Sequence, residues 1–102
     1  MNSRTKELNK LKRKFHSLYE RCLVCGKTPI DMAHLIGRNV SYKDNNGKEK
    51  NDPTSLDNVF PLCRIHHSEY DKNTNSDKRI KWLIKKGLYQ YSDRLKKIVN
   101  NY

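Results

Sequence analysis

Two short motifs, far apart along the chain, constrain its fold more than any other feature of the sequence. Cys22 and Cys25 are separated by two residues, so one tight turn can bring both sulfurs to a single point. Cys63 and His66 repeat that spacing with an imidazole as the second donor. Because closed structural zinc sites use four such donors, the sequence predicts a Cys3His zinc site. The spacing favours His66 over His67 as the fourth ligand only mildly, and both remain candidates.

The composition predicts that the fold needs a stabilising metal or cross-link. The chain has 102 residues, of which 34% are hydrophobic and 32% charged, so it can bury little apolar surface for each residue it orders. A metal or a disulfide is the usual remedy in a small domain. Three cysteines cannot all pair with one another, which favours metal. The same length excludes large enzyme architectures and predicts one domain over residues 1–102.

The basic charge predicts a polyanionic partner. Lysine and arginine number 22 against 11 acidic residues, which gives a formal net charge of +11. A basic helix at the N-terminus carries Lys12 and Arg13, and a polar loop carries Lys43, so these three are candidate DNA contacts. His16 is interpreted as a structural or solvated residue. The sequence contains no apolar segment long enough to cross a membrane, and we expect a soluble, cytoplasmic protein.

Hydrophobic periodicity and turn residues divide the chain into short elements. The predicted elements are an amphipathic helix over residues 5–20, strands over 29–35 and 59–62, and helices over 64–71, 77–86 and 89–100. Ser76 is the predicted N-cap of the fifth element, and Gly87 its C-terminal stop. The last two helices are expected to pack on the first, with Trp82 anchoring their joint core. They are also the candidate contact for a homodimer.

A second pattern overlaps the cysteine motifs. His34, Asn58 and His67 occur in that order, and the last lies beside the second motif. Over about residues 21–72 the chain resembles the HNH endonuclease family, as found in phages and mobile elements. The resemblance implies an α+β fold: a ββα-metal core of hairpin and helix, here clamped by zinc. Within the single domain we expect an N-terminal basic helix over 1–20, the core over 21–73 and C-terminal helices over 76–102.

The resemblance also implies roles for individual side chains. His34 matches the general base, Asn58 the residue that orients it, and His67 a ligand of a catalytic divalent ion, Mg²⁺ or Mn²⁺. Asp71 follows His67 by one helical turn, so both side chains can reach the same ion. Arg38 lies where the family often has an arginine, which suits a phosphate oxygen.

One position departs from the family pattern. Many members have Asp or His immediately before the base, where this chain has Ala33, which cannot bind metal. Asp31 lies on the same strand face two residues earlier and is a candidate replacement. We therefore expect a metal-dependent DNA endonuclease acting on double-stranded or branched DNA, in a bacterial or phage-infected cell. The alternative, favoured by Ala33, is a non-catalytic zinc-stabilised module that binds nucleic acid.

Overall fold

The computed structural model describes residues 3–37, 42–48 and 50–100. Its elements are helix α1 (Ser3–Leu18), strand β1 (Asp31–His34), a 3-10 turn (Leu56–Asn58), strand β2 (Val59–Leu62), and helices α2 (Arg64–Asp71), α3 (Ser76–Lys85) and α4 (Tyr89–Asn100). This α+β arrangement of a two-stranded sheet and four helices is the predicted fold class. None of the described helices is long and apolar enough to cross a membrane.

The two strands form an antiparallel hairpin that is covered on both faces. Asp31 pairs with Leu62, and His34 pairs with Val59. Because side chains alternate between the faces of a strand, Val59 faces α1, whereas Phe60 and Leu62 face the other helices. All four residues of β2 are buried, as expected for a strand packed on both sides.

Helix α1 packs separately from the C-terminal helices, which corrects the expected packing. Its buried residues, Leu11 and Phe15, form a small cluster with Val59. The buried residues of α3 and α4, such as Leu83 and Leu95, belong to the main cluster on the opposite face of the hairpin. The buried side chains of α1 and those of α3 and α4 thus lie on opposite faces of the hairpin, and Tyr19, just after α1, reaches Tyr91 of α4. A periodic pattern identifies a buried stripe and leaves its partner undetermined.

Aromatic side chains fill the main cluster. Tyr70 of α2 is fully buried and meets Phe60 edge to face, with ring centroids 5.2 Å apart. Trp82 packs against Tyr70 at 5.2 Å but is only half-buried, and its indole N–H donates to Glu69 at 3.3 Å. Trp82 therefore borders this core, whereas Leu83 occupies its interior.

The ends of α3 show one correct and one incorrect expectation. Gly87 has a φ of 78°, the left-handed conformation with which glycine ends helices, as predicted. The N-cap is Asn75, whose side-chain oxygen accepts a hydrogen bond from the Lys78 N–H at 2.9 Å. The prediction of Ser76 was wrong by one residue, since both types cap well and composition does not separate them.

Candidate active site

Four predicted zinc ligands come together at one end of the hairpin. The Cys25 and Cys63 sulfurs are 3.7 Å apart, and Nδ1 of His66 lies 3.6 Å from the Cys22 sulfur and 3.3 Å from that of Cys63. With zinc about 2.3 Å from sulfur and about 2.05 Å from nitrogen, tetrahedral ligands lie about 3.8 and 3.6 Å apart. All four ligand atoms lie within 4.8 Å of one another. The donor set and its spacing fit zinc.

The local backbone favours the thiolate form that binds metal. Burial raises the pKa of Cys22, but backbone hydrogen bonds from Cys63, Cys25 and Val24 outweigh it and lower the pKa to about 6. The Val24 N–H donates to the Cys22 sulfur at 3.4 Å. The turn around Cys22 is thus arranged to hold an anionic sulfur. At Cys25 a backbone hydrogen bond from Lys27 lowers the pKa, but desolvation and the neighbouring sulfurs of Cys22 and Cys63 outweigh it, so the pKa is raised.

Helix α2 separates the two neighbouring histidines, which resolves the choice between them. Consecutive helical residues point about 100° apart, so His66 and His67 cannot face the same site. His66 turns to the cysteines. His67 turns to an open cleft of about 620 Å³ that also contains His34. The same helix therefore contributes to two sites.

His34 is held at the end of β1 by a backbone carbonyl. Its Nε2 lies 3.1 Å from the Pro53 oxygen. A carbonyl can only accept a hydrogen bond, so in the neutral ring Nε2 carries the proton and Nδ1 carries the lone pair. This is the tautomer that a general base acting through Nδ1 requires.

Asn58 is placed to hold the residue that precedes Pro53. Its side chain is 6% exposed, and Nδ2 donates to the Asp52 oxygen at 2.9 Å. Its own carbonyl accepts from the Leu35 N–H at 2.9 Å. Asn58 therefore joins the segment that carries Pro53 to the end of β1, and any influence on His34 acts through this backbone.

His67 lies between two carboxylates. Its Nδ1 is 3.0 Å from Asp31, and its Nε2 is 3.2 Å from Asp71. A separation of 3.2 Å suits two ligands of one ion, which lie about 3.0 to 3.4 Å apart at metal distances near 2.1 Å. Asp31 is on the opposite side of the ring, where it can accept the other N–H and orient His67.

The environment keeps Asp31 ionised. Burial raises its pKa, but the hydrogen bond with His67 and the charge of Arg64 outweigh burial, so the pKa falls below its usual value. Arg64 Nε lies 2.9 Å from the same carboxylate oxygen. Ala33 is fully buried in the main cluster and offers nothing to the cleft. Within residues 3–37, 42–48 and 50–100, the Cys3His set alone groups three or more metal-binding side chains, so Asp31 and Asp71 do not converge.

Helices outside the hairpin and α2 complete the cleft. Lys12 and His16 of α1 line one part of it, and Arg79 of α3 lines another. His16 is exposed, which agrees with its interpretation as a solvated residue. The sequence did not predict that it lines the cleft. Arg64 could have been noticed from its position at the start of a predicted helix beside the metal motif. Nothing in the local sequence distinguishes Arg79 from other surface cations.

The predicted DNA contacts fall in several places. Lys12 lines the cleft, Arg13 is exposed on the same helix, and Lys43 is exposed in the segment 42–48. Arg38 lies outside the described residues.

Comparison with known proteins extends the resemblance beyond the core. A family model described as "Putative HNHc nuclease" matches residues 3–100, which include α1, α3 and α4. No curated protein and no solved structure matches the chain. The match spans almost the whole sequence. The chain belongs to the HNH nuclease family.

Proposed function

We propose that this protein is a metal-dependent DNA endonuclease that hydrolyses phosphodiester bonds, with His34 as its general base. The observation that supports this most strongly is the contact between His34 Nε2 and the Pro53 carbonyl. This contact orients the ring of His34, which lines a cleft together with His67 and Asp71. Base, ion ligands and phosphate-binding cations are the parts that phosphodiester hydrolysis needs.

His34 takes a proton from water, and the resulting hydroxide attacks phosphorus in line with the 3′ oxygen. The P–O3′ bond breaks, and the leaving oxygen takes up a proton from solvent. Asn58 keeps the Asp52–Pro53 segment in place, so the imidazole does not have to reorient during the reaction. The product carries a 5′ phosphate, as the family resemblance implies.

His67 and Asp71 hold the divalent ion, Mg²⁺ or Mn²⁺. The ion supplies positive charge for the scissile phosphate and the leaving oxygen. Asp31 accepts the Nδ1 proton of His67 and directs Nε2 towards Asp71. With two side-chain ligands and no donor at Ala33, we expect weak Mg²⁺ binding and better support from Mn²⁺.

The zinc of the Cys3His set is structural. Four protein ligands close its coordination shell, so it has no open position for water. It joins the turn before β1 to the start of α2 and so fixes His67 relative to the hairpin. Thiolate ligands of zinc suit a reducing compartment, and we place the protein in the cytoplasm of a bacterial or phage-infected cell.

The substrate is double-stranded or branched DNA. Lys12, Arg13, Lys43 and Arg38 contact its phosphates, and the net charge of +11 favours binding. The chain acts as a single domain, with a homodimer through the C-terminal helices as its candidate assembly. Its small surface favours structure-selective cutting over the recognition of a long sequence.

A non-catalytic module that binds nucleic acid is the second candidate, and Ala33 is the observation that favours it. Cleavage of supercoiled plasmid and of a synthetic four-way junction separates the two functions. Zinc-loaded protein is assayed with Mg²⁺, with Mn²⁺ and without added divalent ion. Cutting that requires the added ion supports the endonuclease, and a preference for the junction identifies the substrate. Salt-sensitive binding without cutting under every condition would support the module instead.

A further inference from the structure

Two arginines among the described residues line the cleft, and the fold holds them very differently. The Arg64 side chain is 83% exposed and is held by a single ion pair. The Arg79 side chain is 13% exposed, and its Nε and Nη1 donate to the carbonyls of Asn73 and Leu35 at 2.8 and 2.9 Å. Its Cζ also lies 4.7 Å from the centre of the Tyr70 ring. Arg79 is therefore fixed before any ligand arrives.

The remaining edge of Arg79 faces the ion ligands. A guanidinium has five N–H donors, and the two carbonyls engage the one on Nε and one of the two on Nη1. Nη2 lies 3.9 Å from the Asp71 Oδ1, which is too long for a hydrogen bond. Because Arg79 lines the cleft, Nη2 is within reach of a phosphate that would bind beside Asp71.

A structural role alone does not account for this arrangement. Tyr70 Oη already donates to the Leu35 carbonyl at 2.5 Å, so α2 is joined to the end of β1 without the arginine. The carbonyls of Leu35 and Asn73 do not require an arginine, since another hydrogen-bond donor of suitable length could serve them. Arg79 brings a full positive charge to a nearly buried position with one edge left towards the cleft.

We propose that Arg79 is a catalytic residue whose Nη2 donates to a non-bridging oxygen of the scissile phosphate. The inference rests on the proposed endonuclease activity and adds a cation that belongs to the chain itself. Charge that develops on the phosphate is stabilised best by donors that need no reorganisation, and Arg79 is already anchored. Because Ala33 supplies no ion ligand, the ion is held by few side chains, and a positively charged side chain of the protein is then needed most.

The test compares Arg79→Lys with Ser92→Ala. Lysine keeps the charge but lacks the planar fork that lets one side chain hold two carbonyls and present a further edge to the cleft. Ser92→Ala removes a buried hydrogen bond to the Tyr89 carbonyl at a residue that does not line the cleft. Single-turnover cleavage is measured at saturating Mn²⁺, together with Mn²⁺ affinity by electron paramagnetic resonance, zinc content and DNA affinity without divalent ion. We expect Arg79→Lys to cleave about 100-fold more slowly, with Mn²⁺ affinity and zinc content unchanged, and Ser92→Ala to cleave at nearly the wild-type rate.

Three results would overturn the proposal. Full recovery of Arg79→Lys at saturating Mn²⁺ would show that Arg79 acts only through Asp71. Equal losses in the two variants would show a structural role. A wild-type protein that binds DNA but never cuts it would overturn the endonuclease assignment and this inference together, whereas an active Arg79→Lys variant would overturn the inference alone.

The wild-type protein supplies a further test that depends on no variant. Sulfur replaces each non-bridging oxygen of the scissile phosphate in turn, at a mapped cleavage position. Sulfur accepts hydrogen bonds poorly, and Mn²⁺ tolerates it better than Mg²⁺ does. We expect one of the two substitutions to slow cleavage in Mn²⁺, and to slow it less in Arg79→Lys. Equal effects on both proteins would contradict the proposed contact.

Discussion

Replacing Asn58 by alanine tests the link between a buried amide and the candidate base. The change removes the 2.9 Å hydrogen bond to the Asp52 carbonyl. The Asp52 carbonyl keeps the hydrogen bond from the Ser55 N–H at 3.1 Å, so the loss is that of one hydrogen bond, about 1 kcal/mol. For a chain of this size that corresponds to a melting temperature lower by about 5 °C.

The effect on cleavage should exceed the effect on folding. Without Asn58, the Asp52–Pro53 segment loses its side-chain link to the end of β1, so the Pro53 carbonyl can shift relative to His34 and hold the imidazole less firmly. General-base catalysis contributes about 100-fold to 10,000-fold, so we expect a loss of at least about 100-fold in single-turnover cleavage at a temperature where the variant is folded. Zinc content and DNA affinity should remain at wild-type values.

Ser92→Ala is the matched control. Ser92 is 1% exposed, and its hydroxyl donates to the Tyr89 carbonyl at 2.9 Å within α4. It loses a buried hydrogen bond of the same kind outside the cleft and should be destabilised without loss of cleavage. An Asn58→Ala variant that is destabilised yet cleaves at the wild-type rate would refute the connection from Asn58 through Pro53 to His34.

Three further predictions concern the metals and a helix end. Asp71→Asn removes a charged ligand, so half-maximal cleavage should need about tenfold more Mn²⁺, and an unchanged requirement would exclude Asp71 from the ion site. Cys63→Ser should bind less than one zinc per chain by atomic absorption and should melt at a lower temperature, because metal binding contributes directly to folding; a wild-type melting temperature would argue against structural zinc. Asn75→Ala should cost about 1 kcal/mol in urea denaturation, whereas Ser76→Ala should cost less, and the reverse order would restore Ser76 as the cap.

Local signals predicted most of the elements that carry the site. The bounds of β2, α2 and α4 agree with the sequence prediction, because hydrophobic runs, periodic positions and turn residues act over a few neighbours. The Cys3His cluster was also predictable, since two short motifs supply all four ligands. Choosing His66 over His67 as the fourth zinc ligand required the directions in which the two side chains leave α2.

The packing of segments far apart in the sequence could not be predicted from these local signals. The apolar stripe of α1 gives no sign that it packs on Val59 and not on α4. The position of Asp31 beside His67 depends on the pairing of β1 with β2 and on the angle of α2. Arg79 enters the cleft only because α3 returns to the end of β1. Contacts between segments far apart in sequence carry this part of the site.

The most direct measurement compares His34→Ala with the wild-type protein in single-turnover cleavage, using the DNA that the wild type cuts best. Both proteins are zinc-loaded, matched in DNA affinity and assayed at saturating Mn²⁺ across the pH range in which imidazoles titrate. We predict that the wild-type rate rises with pH, because a general base must be neutral, and that the variant loses at least about 100-fold while zinc content and binding stay unchanged. A variant that cleaves at the wild-type rate with the same pH profile would contradict the assignment of His34 as the base.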